Sequence, residues 1–265
     1  MPLDYDRYTM EIITQTDHLR TAIENADLTT PVPTCPEWNL GQLARHVGGG
    51  QCWAAAAVQR RVQEPLPEDE FQFRELSAFV DEKSADIDPW LGETSARLSG
   101  ALAAAGEGLP LWTPVPGVRS SDFYARRFTH EALVHRADAT LAVGAEFAVE
   151  PDLAADAIDE WLELCSLPDL LEQRPRVREL FGPGRTLHLH ATDVPEELEA
   201  EWVIDLTGAG ITWRRAHERC AVAVRGPLTE LLLVIYRRRT PESAAIEVLG
   251  DGELFTGWLD RVAFG

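Results

Sequence analysis

Lysine is almost missing from this chain of 265 residues: Lys83 is the only one, and 24 basic residues against 44 acidic leave a net charge of −20. A surface so short of positive charge repels phosphate backbones and anionic lipid headgroups, so neither nucleic acid nor a membrane surface is expected as a partner. Cysteine is scarce too. The four present, Cys35, Cys52, Cys165 and Cys220, form no CxxC pair, which excludes a zinc knuckle and a dithiol redox motif. No stretch approaches the roughly 20 apolar residues of a membrane span, and the first 25 residues lack the basic start and apolar run of a secretion signal, so a cytoplasmic location is expected. No GxSxG elbow occurs, and a serine triad has nothing to be built on. What is present is ordinary globular make-up, 45% hydrophobic and 26% charged. The length suits two domains, each with its own core.

The pattern along the chain changes once. Apolar residues at helical spacing mark a first helix from Tyr5 to Asn25 and a second from Asn39, whose capping partner is Gln42, to about Arg61. A third helical unit is expected over Phe71–Ala105, kinked or interrupted by Pro89. A fourth helix runs from Ser121 to Val143, where Gly144 stops it, and a fifth covers Asp152–Cys165. The acids of that fifth helix, Asp152, Asp156, Asp159, Glu160 and Glu163, suggest a solvated face. Around Gly182–Gly184 helical period gives way to alternation, and short strands follow at Leu187–Ala191, Trp202–Leu206, Ile211–Arg214, Ala221–Arg225 and Ile246–Leu249, with helices over Leu228–Arg238 and Glu253–Val262. The fold class read from this is α+β in two domains, a helical bundle over 1–183 and a small α+β domain over 184–265. The second part holds 9 Arg against 13 acids, so the acidity belongs to the bundle. Its local exception is Arg237, Arg238 and Arg239, a cluster suited to a carboxylate.

Glu131 and His135 stand at i and i+4 on the fourth helix, about 40° apart around its axis, which makes them a workable pair of metal ligands. His130 makes the segment look like a zincin HExxH, but position 134 is Val, and His130 and His135 lie about 140° apart. His130 is therefore cast in a supporting or packing role, with exposure on the surface the alternative. The third ligand is sought elsewhere. His46 lies at the edge of the second helix's apolar stripe, and Gly49 and Gly50, one turn on, suggest a gap for a metal and its substrate. The alternative open here is a core histidine beside a glycine run that serves a helix contact. Two histidines and one carboxylate suit Zn²⁺ with an open position, or non-haem iron. His188 and His190 share a strand face at i, i+2, which reads better as an exposed or interdomain face than as a chelate, while His18 and His217 show no partner. Cys35, before Pro36, has no basic neighbour in sequence to activate it.

The run Val32–Asn39 (VPTCPEWN), continued by Leu43–Gly49 (LARHVGG), resembles the start of the mycothiol-dependent maleylpyruvate isomerase family, within the DinB-like superfamily. Arg126–Asp138 (RRFTHEALVHRAD) resembles its second signature, and Leu187–Asp193 with Val224–Pro227 and Leu231–Leu233 its carboxy-terminal domain. The resemblance implies a DinB-like four-helix bundle followed by a sterol-carrier-like α+β domain, with metal ligands at His46, Glu131 and His135. It implies zinc as the divalent metal, mycothiol, the small thiol of actinobacteria, as cosubstrate, and a substrate-binding arginine at Arg238. The partners implied are mycothiol and a small electrophile, and the chemistry is S-transfer or cis-trans isomerisation. Ala137 and Arg237 stand where the family often has an aromatic residue and a glycine, so the substrate is not carried over. The rivals are a hydrolase that uses metal-bound hydroxide and a non-catalytic binding protein that keeps the fold.

Overall fold

The computed structural model describes residues 2–71 and 73–262. The described residues fold as two compact units, Pro2–Phe147 and a second that begins at Ala148.

Four helices make the first unit: α1 (Tyr5–Ile23), α2 (Leu40–Arg60), α3 (Ser84–Ala105) and α4 (Ser121–Ala142). Each start except that of α3 is fixed by a side-chain cap. Asp4 accepts from the Arg7 amide, Ser120 accepts from the Asp122 amide, and Asn39 forms the capping box with Gln42 that its spacing announces. Helices α1 and α2 each pack against both α3 and α4. Ile12, Leu19, Leu43, Leu91, Leu98 and Leu133 are completely buried between them. Removing such side chains from water is the main force that holds short helices together, at roughly 1.5–3 kcal/mol for each large one.

The third helix differs from expectation. It begins at Ser84, the residues from Phe73 to Lys83 being turns and loop, and Pro89 lies inside it without ending it. Proline is tolerated there because only five helical residues precede it, little more than one turn, so its missing N–H costs a single bond near the start of the helix.

The second unit contains α5 (Pro151–Cys165), α6 (Pro168–Gln173), α7 (Leu228–Ile235), α8 (Gly252–Val262) and a five-stranded sheet. The strands are β1 (Thr186–Ala191), β2 (Glu201–Asp205), β3 (Thr212–Arg215), β4 (Val222–Gly226) and β5 (Glu247–Gly250), in the order β3-β2-β1-β4-β5. Only the β1–β4 pair is parallel. The strands begin where the sequence period changes, but the unit that holds them begins earlier and takes in α5. Tyr236, just past α7, donates its hydroxyl to the Ala157 carbonyl of α5 at 3.0 Å, and its ring meets Trp161 at 4.5 Å.

The acidic face of α5 also differs from expectation. Asp156, Asp159 and Glu160 are buried, and Asp159 accepts from Trp202 Nε1 at 2.7 Å and pairs with Arg215 at 2.7 Å. A carboxylate inside a unit is acceptable when a charge and hydrogen bonds meet it, and strands β2 and β3 supply both. Among the described residues, no helix is long and apolar enough to cross a membrane.

Candidate metal centre

Helix α2 carries His46 and helix α4 carries Glu131 and His135. Packing of these two helices brings the three residues together: Glu131 Oε1 lies 3.4 Å from His46 Nε2 and 3.3 Å from His135 Nε2. The two imidazoles meet edge to face with centroids 4.9 Å apart. Donors about 2.0–2.2 Å from a tetrahedral zinc stand about 3.3–3.6 Å from each other, so the histidine-to-carboxylate spacings already suit one cation.

The outer nitrogen of each ring is tied down. His46 Nδ1 donates to the Phe73 carbonyl at 2.5 Å, and His135 Nδ1 donates to Asp138 Oδ2 at 2.8 Å. Fixing a proton on Nδ1 of each ring leaves Nε2 as the atom turned to Glu131 Oε1, the one that would offer its lone pair to a metal, which is how metal-binding histidines are usually fixed. Asp138, fully buried, is itself held by the Thr34 hydroxyl at 2.5 Å, with Cys35 Sγ 3.6 Å from its other oxygen. Arg127 donates to Glu131 Oε2 at 3.1 Å. The Trp38 ring lies over His46 at 4.6 Å.

Charge is balanced within the cluster. Burial favours the neutral acid at Glu131, but hydrogen bonds from His135 and His46 and the charge of Arg127 hold its carboxyl well below the usual range. Burial likewise opposes charge on His135, yet hydrogen bonds to Asp138, Cys35 and Glu131 raise it well above the ordinary histidine value. A cation entering the cluster would replace that proton, because a ligating imidazole is neutral.

The glycines beside His46 do not leave a gap. A side chain at Gly48 would strike the Trp90 ring, and a Cβ at Gly49 would lie 2.7 Å from Phe73 Cβ and 2.8 Å from the Phe71 carbonyl oxygen. The run lets the loop through Phe71 and Phe73 settle on α2, and that loop delivers the carbonyl which orients His46. The glycine run is a contact, as the alternative reading had it, and the histidine beside it is still one of three converging donors.

His130 is completely buried with its ring edge-on to Tyr8 at 6.2 Å, a packing contact rather than an exposed position. His18, without a partner in sequence, accepts from Arg136 Nη1 at 2.9 Å. Sequence reasoning missed Asp138, although a carboxylate three residues after His135 on the same helix was a readable signal. It had no means of finding the Phe73 carbonyl, which any residue would supply. Arg238 belongs to the second unit, where it follows α7 and donates to the Tyr236 carbonyl at 2.7 Å. Its neighbours in the arginine cluster meet carboxylates of their own, Arg237 with Asp260 and Arg239 with Glu230.

Residues 9–140 match the family model described as the mycothiol maleylpyruvate isomerase N-terminal domain, and residues 152–257 match the MDMPI C-terminal domain. Among solved structures, the chain is similar to crystal structures of the mycothiol-dependent maleylpyruvate isomerase and of a histidine-to-alanine mutant of that enzyme. Each alignment has 15% identity, covers 93% of both chains and gives a TM-score of 0.58, a likeness of fold. No curated protein matches the chain.

Proposed function

Since this chain belongs to the mycothiol maleylpyruvate isomerase family, we propose that it is a mycothiol-dependent isomerase or S-transferase acting on a small electrophile, with a divalent metal held by His46, Glu131 and His135. One observation carries the reading: two imidazoles and one carboxylate from two helices converge on a single point, each ring already fixed through its outer nitrogen. Zinc is the best fit to that donor set, which leaves one tetrahedral position for a further ligand. When bound, such a cation supplies a positive centre at which a thiol loses its proton at neutral pH.

The protein's own residues do the positioning. Asp138 and the Phe73 carbonyl hold the imidazoles, Arg127 holds the second oxygen of Glu131, and Trp38 covers one side of His46. Glu131 is engaged by these partners and is assigned to coordination rather than to base chemistry. A thiolate placed beside a cis-enoate adds to it, allows rotation about the former double bond and leaves again; beside another electrophile it stays attached. We assign substrate binding to Arg238, whose guanidinium suits a carboxylate.

The test is metal content and turnover in parallel. The wild-type protein should retain zinc through desalting and show turnover that depends on added mycothiol, and His46→Ala should lose the zinc of the bundle trio together with that turnover. Equal metal in wild type and variant would overturn the site. Turnover indifferent to mycothiol would favour a hydrolase.

A further inference from the structure

Three histidines that the sequence leaves without a role meet in the second unit. Register places His190 of β1 directly across from Glu201 of β2, and His188, two residues earlier, lies on the same face. The loop between β3 and β4 then brings His217 over them. Glu201 Oε2 lies 2.6 Å from His217 Nδ1, 2.8 Å from His188 Nε2 and 3.3 Å from His190 Nδ1. The three ring centroids are 5.4–5.8 Å apart. One donor atom from each of the four residues falls within 4.8 Å of all the others.

Hydrogen bonding alone accounts poorly for this arrangement. One carboxylate oxygen faces three ring nitrogens, more than its lone pairs serve well. Charging all three rings would set like charges side by side, against a single carboxylate. A cation removes the conflict, because three neutral imidazoles and one carboxylate can then all act as donors. We infer that His188, His190, His217 and Glu201 form a second metal site, separate from the bundle trio, which takes a divalent cation of the zinc class and fastens the 216–221 loop to β1 and β2.

Nitrogen-rich ligands favour zinc and its transition-metal neighbours over magnesium or calcium, whose sites are built from oxygen. Four protein ligands complete a tetrahedron and leave no position for substrate, which is the pattern of a structural site rather than a catalytic one. Access is graded across the cluster. The His188 side chain is 7% exposed, His190 29% and His217 76%, so the cation enters from the loop side and His217 closes on it last. The present spacings of 2.6–3.3 Å to Glu201 Oε2 are at or below about 3.3–3.6 Å between tetrahedral donors, so loading exchanges these hydrogen bonds for metal bonds with a small outward shift of the loop.

The experiment counts zinc in the full chain after desalting. Wild type should hold two equivalents, His190→Ala/His217→Ala one, and the same pair combined with His46→Ala none. Added zinc should raise the Tm of His46→Ala and leave that of the triple variant unchanged. Cobalt substituted into His46→Ala should give the intense visible absorption of a four-coordinate site. His217→Gln alone, at an exposed position, should weaken zinc retention without changing the circular dichroism spectrum, which guards against a folding defect. Equal zinc in wild type and in His190→Ala/His217→Ala would overturn the inference. Failure of the bundle site reads differently: one equivalent in wild type, retained by His46→Ala and lost from His190→Ala/His217→Ala.

Discussion

Asp138 shows how much of the proposed metal centre lies one residue beyond its three donors. It is completely buried, and His135, Thr34 and Cys35 are among its partners. Its carboxylate fixes which nitrogen of His135 carries the proton. Asp138→Asn keeps the size but can present an amide N–H toward Nδ1, which favours the wrong tautomer. Zinc affinity should fall about 10–100-fold with the fold intact, as for other carboxylates that orient ligand histidines. Competition with a chromogenic chelator measures this, and unchanged affinity would mean that Asp138 serves packing alone. Trp38, which covers His46, and Arg127, which grips Glu131, belong to the same layer of support.

Helix α2 joins His46 to its support. Its capping box sets where the helix starts and therefore which face His46 occupies, while the glycine run one turn on lets Trp90 and the Phe71–Phe73 loop sit against its backbone. Gly49→Ala drives a methyl group into the Phe71 carbonyl and Phe73, and backbone cannot yield as a flexible side chain does. The expected cost is about 1–3 kcal/mol. Because the displaced loop carries the carbonyl that orients His46, zinc affinity should drop together with Tm; a stability loss with unchanged affinity would separate the loop from the site. Helix α5 makes the opposite point about legibility. Its acids look like a solvated face because charge is usually outside, yet Asp159 faces Trp202 and Arg215. A charged residue at a buried position is recognisable only once its partner is known, and here the partner comes from a strand more than fifty residues away.

For the molecule as a whole, the cluster ties acidity to stability, and the proposed metal to both. In chelator-treated protein the stabilisation from His135, raised above 6.5, is complete below that value and is lost as pH rises through the higher folded value. Glu131, held below 4.5, contributes above that value and loses its contribution as the solution is acidified through its lower folded value. The metal-free chain should therefore gain most from the pair between pH 4.5 and 6.5. The Tm increase on adding zinc should grow as pH rises above 6.5, since a cation then replaces a proton that is easier to remove. Thermal melts with and without zinc across that range check it, and a zinc effect independent of pH would count against His135 as a ligand.

The amino-acid order by itself determined the helix starts, through Asn39 with Gln42 and through Ser120, and the change from helical period to alternation that separates helices from sheet. It determined the Glu131–His135 pair, because four residues on one helix fix a geometry that no packing alters. Local spacing carries that information along the chain. Tertiary structure decided the rest: that the Phe73 carbonyl and Asp138 hold the imidazoles, that α5 buries its acids against the sheet, and that His217 joins His188, His190 and Glu201. Each of these depends on residues far apart in sequence meeting in space, and such meetings are set by how whole faces pack rather than by any short run of residues.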